Sequence, residues 1–389
     1  MPNHLIQKSE SKMPGTAISI FAVMSQLAAE HNAINLSQGF PDFNCSEELI
    51  ELMHKYQKGM FNQYAPMPGV GILRERISQK IKKIYSHFYD FDSEITITSG
   101  ATQALFAAIS CVIKEGDEVI VIEPAYDSYG PVIEFNKGIP VYVSLNPDDF
   151  SFDWDSVKEA ITNRTRMIII NSPHNPTGSV LKLSDLKILE DITRNTKIII
   201  VSDEVYEHII FDGRSHVSLS QSEELSQRSF VISSFGKTYH ATGWKVGYCC
   251  APKKLTDELR KIHQFIVFAV NTPAQYAYAE YMLDESHYLT LSSFYQKKRD
   301  ILIESLSDSH FKIIPASGTY FQLLDYSNIS AKNDIEFSLY LTKEIGVAVI
   351  PISPFCTINK ERKIIRLCFA KNEDVLISAA EKLCAVKTA

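Results

Sequence analysis

The stretch Ser233-Ser-Phe-Gly-Lys237-Thr-Tyr-His-Ala-Thr-Gly-Trp-Lys245-Val-Gly-Tyr248 decides how the rest of the chain is read. It follows an apolar run, 229–232, that reads as a buried strand, and it leads into a second apolar run, 246–251. Lys237 therefore falls in a Gly-containing loop at the carboxyl end of a strand, the place where open α/β sheets bind ligands. Ser234, Lys245 and the hydroxyls of Thr238, Tyr239 and Thr242 surround it and concentrate phosphate-binding donors. A lysine in a polar loop is ordinarily a solvated charge. A reactive amine beside an anion site also suits a Schiff base to a phosphorylated aldehyde, of which pyridoxal 5′-phosphate (PLP) is the common one.

Composition bounds the answer. With 389 residues, 45% hydrophobic and 22% charged, the chain suggests two domains, one of them split in sequence, and can bury a sizeable core. A formal net charge of −7 without a basic stripe argues against a nucleic-acid partner, so an anionic ligand has to be held locally, as Lys237 and Lys245 would do. The seven cysteines form neither CxxC pairs nor a disulfide framework; a reducing cytoplasm is expected and no metal site. Neither a signal peptide at Met1–Gly15 nor an 18-residue apolar span is found, so no membrane is expected.

Along the chain, 18–31, 47–58 and 72–86 have helical spacing, and Gly39-Phe-Pro-Asp42 reads as a turn. Tyr64, in the loop Asn62-Gln-Tyr-Ala-Pro-Met67, is either core filler or a ligand contact. The strand 94–98 runs into Ser99-Gly-Ala-Thr-Gln, where small residues open a helix to about 113. That junction is either simple capping or a second anion cradle formed by the backbone N–H groups of a helix start. The strand 118–122 ends in Glu123-Pro-Ala-Tyr126, leaving a ring able to stack on a flat cofactor. Runs 167–171 and 197–202, with a helix over 183–194 between them, predict parallel strands buried on both faces. Asn175, Asp203, Tyr206 and Lys237 then all lie just past strand ends. An Asp there can keep a pyridine nitrogen protonated, and a carboxylate so buried calls for a cationic partner. One long helix is predicted over 286–306, followed by strands over 311–314, 318–324, 347–350 and 364–370. Arg366 lies inside the last strand, and a buried Arg needs an anion: either a substrate carboxylate held bidentate or a distant structural partner.

Asn175-Pro-Thr-Gly, Asp203-Glu-Val-Tyr206, Ser234-Phe-Gly-Lys237 with Lys245 and Gly247, and Arg366 resemble the signature of the class I/II, fold-type I PLP-dependent aminotransferases, over nearly the whole chain. Within that family, segments 35–42, 62–67, 234–248 and 365–371 are similar to bacterial methionine aminotransferases and the kynurenine aminotransferase-like group. The resemblance implies an α/β fold, a mostly parallel central sheet with helices on both faces plus a smaller α+β domain. It divides the chain into an N-terminal segment (1–45) joining the small domain, a large PLP-binding domain (46–280) and a small C-terminal domain (281–389). It implies Lys237 as the Schiff-base lysine, Asp203 on the pyridine nitrogen, Tyr206 and Asn175 on the phenolic oxygen, and Tyr126 on the ring. The phosphate would lie among Gly100, Ala101, Thr102, Ser234 and Lys245, with Tyr64 reaching it from the other subunit of a homodimer with shared active sites. Gly39, Asn175 and Arg366 would hold the α-carboxylate.

Phe21, Phe40, Tyr64, Phe268 and Phe355, with no second arginine, are expected to favour an apolar, sulfur-containing or aromatic amino acid, methionine foremost, over aspartate. Ala241 departs from the larger apolar residue expected there. The activity implied is transfer of that amino group to a 2-oxo acid; the alternative is a PLP-dependent cysteine-conjugate carbon–sulfur β-lyase.

Overall fold

The computed structural model describes residue 13 and residues 18–358 and 360–388. Most of Met1–Gly15, and with it the first part of the expected segment 1–45, lies outside the described residues. Thirteen strands occur among those described: β1 (Ile34–Asn35), β2 (Ile95–Thr98), β3 (Glu118–Glu123), β4 (Ile139–Ser144), β5 (Thr165–Asn171), β6 (Ile199–Asp203), β7 (Ser229–Ser234), β8 (Gly247–Cys250), β9 (Lys312–Ile314), β10 (Phe321–Asp325), β11 (Val347–Ala348), β12 (Ile350–Pro351) and β13 (Ile364–Cys368).

Seven of them form one sheet in the order β2-β8-β7-β6-β5-β3-β4, parallel throughout except for β8, which is antiparallel to both neighbours. The continuous apolar runs explain why it is covered on both sides. Ile120, Ile122, Ile168, Ile170 and Ile200 enter one core, where the helices Gly71–Tyr85 and Thr272–Tyr281 also pack. The alternate residues Val119, Val121, Met167, Ile169 and Val201 enter another, against the helices Gly100–Val112 and Lys253–Ile266. Strand period 2 applied to a run with no polar member leaves both faces apolar.

Register then gathers the strand ends. Asn171 pairs with Asp203, Ser234 with Gly247, and Gly247 with Thr98, so the ends of β2, β5, β6 and β7 and the start of β8 share one edge. The reversal of β8 returns the chain from Lys245 to that edge. A second sheet, β12-β13-β10-β9, is antiparallel, and β1 pairs parallel with β11.

The structure corrects several expectations. Lys237 lies in one helical turn, Phe235–Thr238, closed by the Tyr239 N–H donating to the Phe235 carbonyl (2.8 Å), and not in an open loop. The long helix over 286–306 is two, Ser286–Leu289 and Leu291–Ser305; at the junction the Thr290 hydroxyl bonds the Ser286 carbonyl (2.7 Å). The run 347–350 is two short strands serving different partners. Strand β4 carried no sequence expectation: Pro140 interrupts it, and its place at the sheet edge is where a proline costs no ladder bond.

Candidate active site

At the shared edge, the helix Gly100–Val112 begins two residues after β2, with no acidic residue in its first turn to oppose an anion at its N-terminus. Gly100 has φ +70°, and a Cβ there would lie 3.2 Å from Lys245 Nζ. A Cβ on Gly247 would lie 2.9 Å from the Ala101 backbone nitrogen and 2.8 Å from the Ser233 carbonyl oxygen. Two glycines thus let β8 and the Lys245 ammonium close on the helix start, where Thr102 and Ser234 add hydroxyls. Ser99 makes no side-chain cap bond, and Gly100, Ala101, Thr102, Ser234 and Lys245 line the same cavity.

Beside this helix start, Asp203 ends β6 almost fully buried. Its carboxylate accepts a hydrogen bond from Tyr129 Oη (2.7 Å), with Val205 N–H at 3.4 Å. No Lys, Arg or His nitrogen among the described residues lies within 4.0 Å of it. Burial pushes its pKa up to about 6, the Tyr129 bond opposing in part. The cationic partner that its position calls for is not supplied by the described protein.

Lys237 opens partly onto the cavity, yet the protein surrounding its amine pulls its pKa down to about 8. Its Nζ donates to the Gly39 carbonyl (2.8 Å) and to Tyr320 Oη (2.6 Å). Arg366, on β13, is wholly buried. Its Nη1 donates to Asn175 Oδ1 (2.8 Å), its Nη2 to the Ser37 carbonyl (3.1 Å), and its Nε finds no protein acceptor. The Phe321 ring centre stands 3.8 Å from its Cζ. Burial lowers the guanidinium pKa to about 10, and no carboxylate among the described residues lies within 4.0 Å.

These groups line one cavity of about 330 Å³: Gly39, Gly100, Ala101, Thr102, Tyr126, Asn175, Asp203, Tyr206, Ser234, Lys237, Lys245 and Arg366 all face it. Tyr64 does not. It is 83% exposed, edge-to-face with Phe268 at 5.4 Å. Of the five aromatics expected around a side-chain pocket, only Phe21 and Phe40 line the cavity. Phe355 is buried behind Phe21 at 5.6 Å, and Tyr64 and Phe268 lie on the outer surface. Arg366 is the only arginine in the lining. Sequence reasoning missed Tyr129, Val205, Tyr320 and Phe321. A signal existed for Val205, inside Asp203-Glu-Val-Tyr206; the others depend on which strands and helices pair.

The chain matches the family described as aminotransferase class I and II over residues 31–383. It is 49% identical to the methionine aminotransferase of Escherichia coli K12, over 96% of this chain and 97% of that one. It is 31% identical to human kynurenine–oxoglutarate transaminase 1, over 97% and 98%. An E. coli crystal structure described as identifying a methionine aminotransferase function superimposes with a TM-score of 0.94 at 48% identity, covering 96% of this chain and 98% of that one. With a mostly parallel sheet whose edge brings a helix start, a buried carboxylate, an amine and an arginine to one cavity, the chain belongs to the class I and II aminotransferases.

Proposed function

We propose that this aminotransferase uses PLP held by the residues of that cavity and takes methionine, or a similarly apolar or aromatic amino acid, as amino donor. The observation that carries the reading is a set of three ionisable groups, Asp203, Lys237 and Arg366, that line one space with no oppositely charged partner among the described residues within 4.0 Å. Each lacks what PLP and an α-amino acid carry: a pyridine nitrogen for Asp203, an aldehyde for Lys237, a carboxylate for Arg366. The Gly100 cradle fits the phosphate.

PLP, when bound, supplies the electron sink that makes the proton on the amino acid's Cα acidic. Everything else belongs to the chain. Lys237 would hold the cofactor through Nζ, and, released by the incoming amine, would take the Cα proton; a pKa of about 8 leaves about a tenth of it neutral at pH 7, far more than an ordinary lysine offers. Asp203 would keep the ring nitrogen charged. Tyr206 and the Asn175 amide would bond the phenolic oxygen, Tyr126 would lie on the ring, and Gly100, Ala101, Thr102, Ser234 and Lys245 would hold the phosphate. Arg366, oriented by Asn175 and Ser37, would hold the α-carboxylate together with the backbone at Gly39.

Phe21, Phe40 and Val205 give the cavity apolar walls, and no second arginine is there for a second carboxylate, which would be buried unpaired. The E. coli relative named for methionine supports the same choice. The test is a spectrum of the PLP-loaded protein before and after each amino acid is added without any oxo acid. Methionine should bleach the cofactor band and aspartate should not; the reverse order removes the specificity reading. Steady-state rates should give parallel double-reciprocal lines. Release of pyruvate from a cysteine conjugate without an acceptor would give the carbon–sulfur lyase instead.

The same reading places the protein in the cytoplasm as a homodimer with shared active sites, with the domain division at 45 and 280 given above. Pairing of Ile34–Asn35 with Val347–Ala348 supports joining the first segment to the C-terminal part. Tyr64, Phe265 and Met60, 83%, 86% and 100% exposed, support a second copy covering them. Sedimentation equilibrium should give twice 43.9 kDa; a mass of 43.9 kDa at micromolar concentration would refute the shared site.

A further inference from the structure

Three atoms of distant segments meet on the far side of Lys237. Nζ lies 2.6 Å from Tyr320 Oη and 2.8 Å from the Gly39 carbonyl oxygen, and Tyr320 Oη lies 2.5 Å from that same oxygen. The donors and acceptors close without remainder. The amine donates to both oxygens, the hydroxyl donates to the carbonyl, and the carbonyl accepts two bonds, its full capacity. With Cε and two donated protons assigned, one tetrahedral position of the neutral amine is left, its lone pair.

Tyr320 is held as firmly as the atom it holds. Its ring is edge-on to Tyr206 (5.2 Å) and near Tyr295 (5.6 Å), its carbonyl accepts from the Phe369 N–H (2.9 Å), and it is fully buried. It precedes β10, whose Leu323 pairs with Arg366. The residue after it, Phe321, carries the ring against the Arg366 guanidinium. Unlike Phe321, Tyr320 does not line the cavity.

We infer that Tyr320 is a positioning residue for the reaction: its hydroxyl, with the Gly39 carbonyl, holds the Lys237 amine in one place and one orientation whenever that amine is free. This rests on the reading of Lys237 as the reactive amine. A four-carbon side chain released into a cavity has many rotamers, and proton transfer requires the nitrogen within hydrogen-bond reach of its target. A fixed oxygen pair behind the amine removes those alternatives. It also ties the second sheet, through Tyr320, to a residue at the edge of the first.

The test is Tyr320→Phe, which removes one oxygen and keeps the ring. In the full-length chain freed of cofactor, the rate at which cyanate carbamylates Lys237, followed by peptide mass, reports the fraction of neutral amine against pH. Both oxygens favour the charged form by accepting from it, so the variant should titrate below the wild-type midpoint of about 8. In the loaded enzyme kcat should fall about tenfold, the effect of losing one hydrogen bond to a charged group. KM for the amino acid should stay unchanged, because Arg366 and the cavity walls are untouched. A general loosening of the fold would move KM as well.

A wild-type midpoint, or an unchanged kcat, overturns the inference. If the variant does not fold by circular dichroism, 3-fluorotyrosine at 320, a weaker acceptor, is put through the same two measurements, with the same directions expected and the same results overturning it. Failure of the underlying reading looks different: protein fully carbamylated at Lys237 would still turn over, whatever stands at 320.

Discussion

Lys237→Ala should lower turnover by at least about 10,000-fold while leaving the fold and the binding of PLP phosphate intact. The expectation follows from the role proposed for the amine and from what surrounds it. Lys237 is the only residue of the cavity with a primary amine in contact with both Gly39 and Tyr320; Lys245 Nζ is committed to the Gly100 side, 3.2 Å from where a Cβ at Gly100 would stand. On the proposed reading, no other amine of the cavity lining is placed to take over proton transfer at the substrate's Cα. The fold should survive because Lys237 has no salt bridge to leave behind and its two acceptors keep each other, Tyr320 Oη donating to the Gly39 carbonyl. Lys237→Arg separates charge from chemistry. A guanidinium keeps the positive charge and cannot be deprotonated near neutrality, so it should be as inactive as alanine. Single-turnover rates with methionine, measured with circular dichroism on the same samples, check both. An Arg variant with substantial turnover would mean that Lys237 acts only as a charge.

How much of this was legible in the sequence depended on whether the determinant was local. The apolar runs 167–171 and 197–202 put Asn175 and Asp203 past strand ends because a run without polar members reads as a strand buried on both faces; Asn175 does lie beyond β5, while Asp203 is the last residue of β6, paired with Asn171. Arg366 could be called buried because it interrupts an apolar strand. Tyr320 could not be found this way: its meeting with Lys237 depends on the second sheet packing against the first, over a separation of 83 residues. Tyr129 reaches Asp203 from a helix set by its own packing, 74 residues away. The aromatic pocket was overdrawn for the same reason. Composition counts rings, but only the fold separates Phe21 and Phe40, which face the cavity, from Tyr64 and Phe268, which face out. The helix break at Thr290 has no Gly or Pro beside it to announce it; a threonine hydroxyl bonding back to the Ser286 carbonyl is found at the place.

Asp203→Asn should divide function from stability, with opposite signs. In the loaded enzyme, a carboxylate facing a cation favours the charged form by a factor of about 10 to 1,000, so its loss should cost turnover on that scale. Without cofactor the same carboxylate is a burden, buried with one hydroxyl and one long backbone contact for company. Its pKa is about 6 in the fold against the ordinary 3.8, so the folded chain binds the proton more tightly than the unfolded one. Stability from that group is present in full below the unfolded pKa and is lost as pH rises through about 6. At pH 8 the loss is on the order of 3 kcal/mol, and asparagine, which does not ionise, does not suffer it. Cofactor-free Asp203→Asn should therefore be more resistant to urea than wild type at pH 8, with the advantage shrinking toward pH 4. Denaturation midpoints at the two pH values, with and without PLP, decide it. An advantage that does not depend on pH would assign the effect to packing rather than charge, and a variant less stable than wild type at pH 8 would mean that the carboxylate already has the countercharge that its geometry denies it. The outcome expected here would make Asp203 a residue that costs the empty fold stability and whose pairing the proposed cofactor would complete.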